Sequence, residues 1–161
     1  TFHYDYEGEL VIIIGKSGKN ISSEKAMEHI LGYTIGNDVS ARILQFRGSQ
    51  WILGKSLDNF APIGPTIIPP HKFDFESATI TTTVNGEVRQ QANLNQMIFK
   101  PYDIIAFLSS HMTLQEGDII FTGTPSGVVL GKNESKYSWL KPGDTVVITI
   151  SGIGTLENKF L

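Results

Sequence analysis

Two glutamates in "YEGEL", Glu7 and Glu9, are the first residues of this chain whose types and spacing could do chemistry. They run straight into "VIIIG", a β-branched stretch that reads as a mostly buried strand. Side chains alternate along a strand, so both carboxylates point to one face, shared with Val11 and Ile13. Most such pairs form a solvated face. Here that face becomes core two residues later, and a divalent cation would offset both the repulsion of the paired charges and their desolvation. With no cysteine and only four histidines in 161 residues, the ligands would be oxygens, which suits Mg²⁺, Mn²⁺ or Ca²⁺ rather than structural zinc.

A third carboxylate would complete such a site. Asp38 in "GNDVSAR" lies at a strand end beside Gly36, where the backbone can approach closely; an Asx-turn or helix N-cap is the other reading of the same residue. Arg42 and Gln45 are three apart, hence on one helical face, and could hold a carboxylate together, although a surface pair is the default. Lys55 in "GKSLDNFAPIGP" precedes an irregular apolar loop, where a surface lysine is the plain expectation. "FTGTPSG", Phe121 to Gly127, sets Thr122, Thr124 and backbone N–H groups in a Gly-rich loop after a buried strand, a form that can receive a carboxylate or phosphate or simply turn the chain. It is not a phosphate-binding P-loop, because no Gly-Lys-Ser/Thr follows.

The elements that must position these residues are mostly strands. "SSEKAMEHIL" reads as a short helix with Ser22 or Ser23 as N-cap and Ala26, Met27, Ile30 and Leu31 as its apolar stripe. "GYTIGNDVSARILQFRG" reads as a strand, a loop at Asn37-Asp38 and a helical turn, and "APIGPTIIPP" as an extended loop passing into an edge strand. Asn85-Gly86, between alternating runs, marks a type I′ hairpin. Pro101 opens a helix over "PYDIIAFLSSHM" with Ile104, Ile105 and Leu108 inward, and "KPGDTVVITISGIGTLENKFL" is a closing hairpin. Strands outnumber helices and do not alternate with them, so the expectation is a single mainly β (α+β) domain over residues 1–161, a roll or barrel with a few short helices.

Composition sets the outer bounds. A net charge of −3 without a Lys/Arg cluster argues against nucleic acid as a partner, and no apolar run is long enough to cross a bilayer as a helix. The chain opens with Thr1 and a strand pattern begins within a few residues, which suggests that an upstream segment, with any targeting signal, lies outside this sequence. A cytoplasmic or mitochondrial location is the expectation.

Taken in order, "DYEGELVIIIGK", "GYTIGNDVSAR", "GKSLDNFAPIGP", "TTTVNGEVRQ", "LQEGDIIFTGTPSGV" and "LKPGDTVVITISGIGTLEN" resemble the C-terminal catalytic domain of the fumarylacetoacetate hydrolase family, over almost the whole chain. "NLNQMIFKPYDIIAFLSSHMTL" looks most like the branch of domain-containing proteins with oxaloacetate tautomerase activity. The resemblance implies a β-rich roll, usually homodimeric, with Mg²⁺ or Mn²⁺ held by Glu7, Glu9 and Asp38. It places Lys55 beside the metal, Arg42 and Gln45 at the substrate, and Thr124 at the substrate carboxylate. The implied substrates are small 2-oxo or 1,3-diketo acids. Acylpyruvate hydrolysis, oxaloacetate decarboxylation and keto–enol tautomerisation all pass through a pyruvate-type enolate, so one such site can serve all three, with a catalytically weak module that binds metal and a dicarboxylate as the alternative. Family members carry an upstream segment that supplies a general base and part of a lid; His3 does not match it. Substrate choice is expected to rest on that lid and on the loop Gly131 to Lys141.

Overall fold

The computed structural model describes residues 3–131 and 138–161. The centre of the loop expected to set substrate choice, 132–137, lies outside the described residues. In chain order the strands and helices are β1 (Tyr4–Asp5), β2 (Gly8–Ile14), β3 (Ile30–Asn37), β4 (Ser40–Ala41), α1 (Arg42–Gln45), β5 (Ile63–Ile68), β6 (Thr79–Val84), β7 (Glu87–Asn93), α2 (Pro101–His111), β8 (Ile119–Phe121), β9 (Thr145–Ile150) and β10 (Gly154–Lys159), with short 3₁₀ turns between some of them.

Two four-stranded antiparallel sheets carry the fold, ordered β5-β3-β2-β8 and β10-β9-β6-β7, and β1 pairs with β4 as a separate ribbon. No ladder joins the two large sheets among the described residues, so the expected roll forms without closing into a barrel. β2 lies between β3 and β8 and is buried along its length, which is why its sequence is apolar nearly throughout. Leu10, Ile12 and Ile14 face Ile80 of β6 and Ile148 and Ile150 of β9 in one core. Burying each such side chain contributes roughly 1.5–3 kcal/mol.

Val11 and Ile13, on the other face, are buried too, so the carboxylate face does pass into apolar surroundings. Gly8 explains how the start of β2 reaches the second sheet. A Cβ there would lie 2.3 Å from Thr82 Oγ1, so the absence of a side chain permits close approach.

The type I′ hairpin forms as expected, Asn85 and Gly86 having φ of 51° and 82°. β5 is the edge strand, α2 begins at Pro101 with Ile105 fully buried, and β9 and β10 form the closing hairpin. One local expectation changes. "SSEKAMEHIL" is a 3₁₀ segment, Ser23–His29; Ile30 already belongs to β3, paired with Ile14, and Met27 and Leu31 are exposed. The apolar spacing at 26, 27, 30 and 31 suited a helix, but pairing with β2 draws its last two members into the sheet.

Candidate metal centre

β2 begins one residue after Glu7, and the backbone N–H of Asp38 donates to the Glu7 carbonyl oxygen at 2.9 Å. This main-chain bond brings the loop after β3 against the start of β2. Asn37 reinforces it: its Oδ1 accepts from Glu7 N–H at 3.1 Å, and its Nδ2 donates to Asn158 on β10. As a result one oxygen from each of Glu7, Glu9 and Asp38 lies within 4.8 Å of the others, a spacing that could hold a metal ion.

The cationic residues converge on the same point. Lys55 Nζ lies 2.9 Å from Glu7 Oε2 and 2.6 Å from Asp38 Oδ2, so it bridges two of the three carboxylates and is no ordinary surface lysine. Arg42 Nη1 pairs with Glu7 Oε1 at 2.6 Å and donates to Gln45 Oε1 at 2.9 Å. Arg42 and Gln45 are 4% and 2% exposed, which rules out a surface pair. They do share one helical face, but that face is turned inward onto protein carboxylates.

Thr124 sits one residue beyond Gly123, whose N–H donates to Glu9 Oε2 at 2.7 Å. The Thr124 hydroxyl donates to the Gly8 carbonyl oxygen at 2.9 Å, between the two glutamates. Thr122 Oγ1 donates to the Leu10 carbonyl oxygen. The Gly-Thr-Pro loop is thus stitched along β2.

Two important residues went unread in the sequence. Asp5, fully buried, accepts from Arg42 Nε and Nη2 at 2.9 and 2.8 Å and from the backbone N–H groups of Val129 and Leu130. It fixes the guanidinium that faces Glu7. Gln90 of β7 reaches from the second sheet to Gly8, Thr124 and Pro125. Asp5 lies two residues before Glu7, a spacing that could have flagged it; nothing in "EVRQQ" marks Gln90. His3 is partly buried just before β1, and its ring stacks on Trp139 with centroids 4.7 Å apart.

The electrostatics fit a divalent cation. Asp5, Glu7, Glu9 and Asp38 against Arg42 and Lys55 leave an excess of two negative charges when all are ionised. Burial pushes the Glu9 carboxyl up from 4.5 to about 8; the Gly123 N–H and Lys55 oppose this, while Asp38 and Glu7 add to it. Burial also raises Asp38, against the hydrogen bond and charge of Lys55. Carboxylates placed where their ionised form is disfavoured are a donor set that a hard cation would complete.

Three carboxylates gathered at the start of β2 and the loop after β3, two of them bridged by Lys55, mark this β-domain as one with a candidate cation site. The chain belongs to the fumarylacetoacetate (FAA) hydrolase family, whose C-terminal domain it matches over residues 1–161. It is 49% identical over 162 residues to oxaloacetate tautomerase YisK of Bacillus subtilis (strain 168), covering 99% of this chain and 52% of that protein. Fumarylacetoacetate hydrolase EaFAH of Exiguobacterium antarcticum superposes with a TM-score of 0.93 at 44% identity, over 98% of this chain and 56% of the other. Fumarylpyruvate hydrolase of Pseudomonas aeruginosa, solved with Mn²⁺ and pyruvate, gives 0.87 at 37% identity, over 98% and 66%. The chain spans about half the length of the curated relatives it matches.

Proposed function

We propose that this chain carries the metal site of an enzyme acting on small 2-oxo or 1,3-diketo acids, with Mg²⁺ or Mn²⁺ held by Glu7, Glu9 and Asp38. The observation that carries this reading is the convergence of those three carboxylates within 4.8 Å, with Lys55 bridging two of them. A hard cation bound there supplies Lewis acidity toward the oxygens of a 2-oxo acid.

The chain's own groups do the rest. Lys55 Nζ is placed to hold a proton beside the carboxylates, where a proton must move between oxygen and carbon during enolisation. Asp5 and Gln45 orient Arg42, which in turn fixes Glu7. The loop from Gly123 to Pro125 is the segment proposed to receive the substrate carboxylate, at Thr124 through its backbone N–H, since the Thr124 hydroxyl proton goes to the Gly8 carbonyl oxygen.

Two reactions remain as distinct readings. The similarity to YisK favours oxaloacetate keto–enol tautomerisation, while the superposition on the two hydrolases favours cleavage of a C–C bond in an acylpyruvate, with oxaloacetate decarboxylation as a related outcome. Following enol-oxaloacetate decay and acetylpyruvate loss on the Mg²⁺-loaded protein separates them. Loss of the enol signal without pyruvate release supports the tautomerase; pyruvate release supports cleavage; neither, with metal bound, contradicts both. The reading includes a homodimer, which sedimentation equilibrium tests.

A further inference from the structure

The structure assigns to Gln90 the role of a positioning residue that locks the Gly123–Pro125 loop onto the metal strand through a closed circuit of hydrogen bonds. This rests on the metal-site reading above. Gln90 is 1% exposed and stands on β7, in the sheet opposite the carboxylates. Its Oε1 accepts from Gly8 N–H at 3.1 Å, and its Nε2 donates to Thr124 Oγ1 at 2.7 Å and to the Pro125 carbonyl oxygen at 2.8 Å. Thr124 Oγ1 then donates to the Gly8 carbonyl oxygen, which returns the circuit to the residue where it began.

Chemistry permits only this orientation. Reversing the amide would set Nε2 against the Gly8 N–H and Oε1 against the Pro125 carbonyl, two contacts between like partners. Because the Gln90 amide donates to Thr124, the single hydroxyl proton of Thr124 goes to Gly8.

The location gives the circuit its consequence. Gly8 separates the ligands Glu7 and Glu9, and Thr124 follows the Gly123 N–H that holds Glu9. A side chain from the second sheet therefore controls both the spacing of the loop from the strand and the one backbone donor that meets Glu9 among the described residues. Removing Gln90 leaves the Gly8 N–H and the Pro125 carbonyl oxygen without this partner, and the loop is then held to β2 only from its own side, through Thr122, Gly123 and Thr124.

The test is Mn²⁺ affinity of the chain, read from the electron paramagnetic resonance signal of free Mn²⁺, with far-UV circular dichroism and a urea midpoint on each variant. Gln90→Met, close in length and without hydrogen-bonding capacity, is expected to weaken Mn²⁺ binding about tenfold while remaining folded. Thr124→Val is expected to do the same, and Thr124→Ser, which keeps the hydroxyl, to stay within about threefold of wild type. The double variant Gln90→Met/Thr124→Val should bind no worse than about twofold below the weaker single variant, because both break one circuit. A merely structural glutamine would lower the urea midpoint and leave Mn²⁺ affinity alone.

Wild-type affinity in Gln90→Met, or losses that multiply in the double variant, would overturn the inference and leave the metal site standing. If Gln90→Met does not fold, the Thr124 pair decides: equal affinities for Thr124→Val and Thr124→Ser overturn it. A wild-type chain that binds no Mn²⁺ overturns the metal reading and this inference with it.

Discussion

Glu9 and Asp144 are nearly equally buried, at 3% and 5% exposure, yet the protein treats them in opposite ways. Asp144, at the turn before β9, meets an upward push from burial that is outweighed by hydrogen bonds from Asn85 Nδ2 and from the backbone and side chain of Lys141, and its carboxyl is held below the ordinary value. At Glu9 the upward push of burial dominates; the carboxylate has the Gly123 N–H as its one backbone donor among the described residues and faces two other carboxylates. A carboxylate that serves the fold is given donors. Glu9, proposed as a metal ligand, is left short of them, and a bound cation would offset the cost of ionising it.

The widest separation between the two should come from truncation. Asp38→Ala or Glu9→Ala is expected to weaken Mn²⁺ or Mg²⁺ binding by a factor on the order of 10² or more, seen by calorimetry, whereas Asp144→Ala should leave that affinity within about twofold and instead lower stability by about 1–3 kcal/mol in urea denaturation. Retained metal binding in Asp38→Ala would erase the contrast.

Lys55→Met sharpens the comparison from the cationic side. It removes the proton holder but not a ligand, so activity should fall by about 10²–10⁴ in kcat while metal affinity holds or improves. Steady-state kinetics beside a metal titration reads both.

A change of pH moves the two carboxylates at opposite ends of the scale. The Glu9 pKa is raised on folding, so its stabilising contribution is fully present below about 4.5 and is withdrawn as the pH climbs to about 8. The Asp144 pKa is lowered, so its contribution is present above 3.8 and is lost as the pH falls through the folded value. The Tm of the metal-free protein should therefore drop as the pH rises toward about 8, by about 2–4 °C for each kcal/mol withdrawn, and Glu9→Gln should flatten that limb without touching the acid one. Saturating Mg²⁺ should suppress the drop.

The smallest effect expected is that of Lys141→Met. The Lys141 side chain is 68% exposed and its Nζ stands 3.4 Å from Asp144, so its loss should change stability by less than about 0.5 kcal/mol, since the Asn85 and backbone donors remain.

What the sequence disclosed follows from the range of the forces involved. The hairpin at Asn85-Gly86, the helix start at Pro101 and the central strand through "VIIIG" rest on backbone preference and alternation, which are local and legible. The pairing of Glu7 with Glu9 is legible for the same reason. Asp5 and Gln90 were not, because a buried Asp or Gln has meaning only through partners far along the chain: Val129 and Leu130 for one, Gly8 and Thr124 for the other. The segment Ser23–His29 reads in the sequence as a short helix running on to Ile30 and Leu31, because the claim of β2 on Ile30 is tertiary. Whether two sheets close into a barrel likewise depends on edge pairing, which alternation does not encode. Reading Asp38 as a ligand rather than a cap needed the resemblance, and the fold then gives it the company of Glu7 and Glu9.

The proposed role of Glu7, Glu9 and Asp38 is to hold a divalent cation to which a 2-oxo acid binds. Its most direct test is calorimetric titration of the protein with oxalate, a mimic of the pyruvate enolate, in the presence and absence of Mg²⁺. Oxalate binding is expected to require Mg²⁺ and to disappear in Glu7→Ala and Asp38→Ala. Oxalate binding that survives either substitution, or proceeds equally well without the metal, would contradict it.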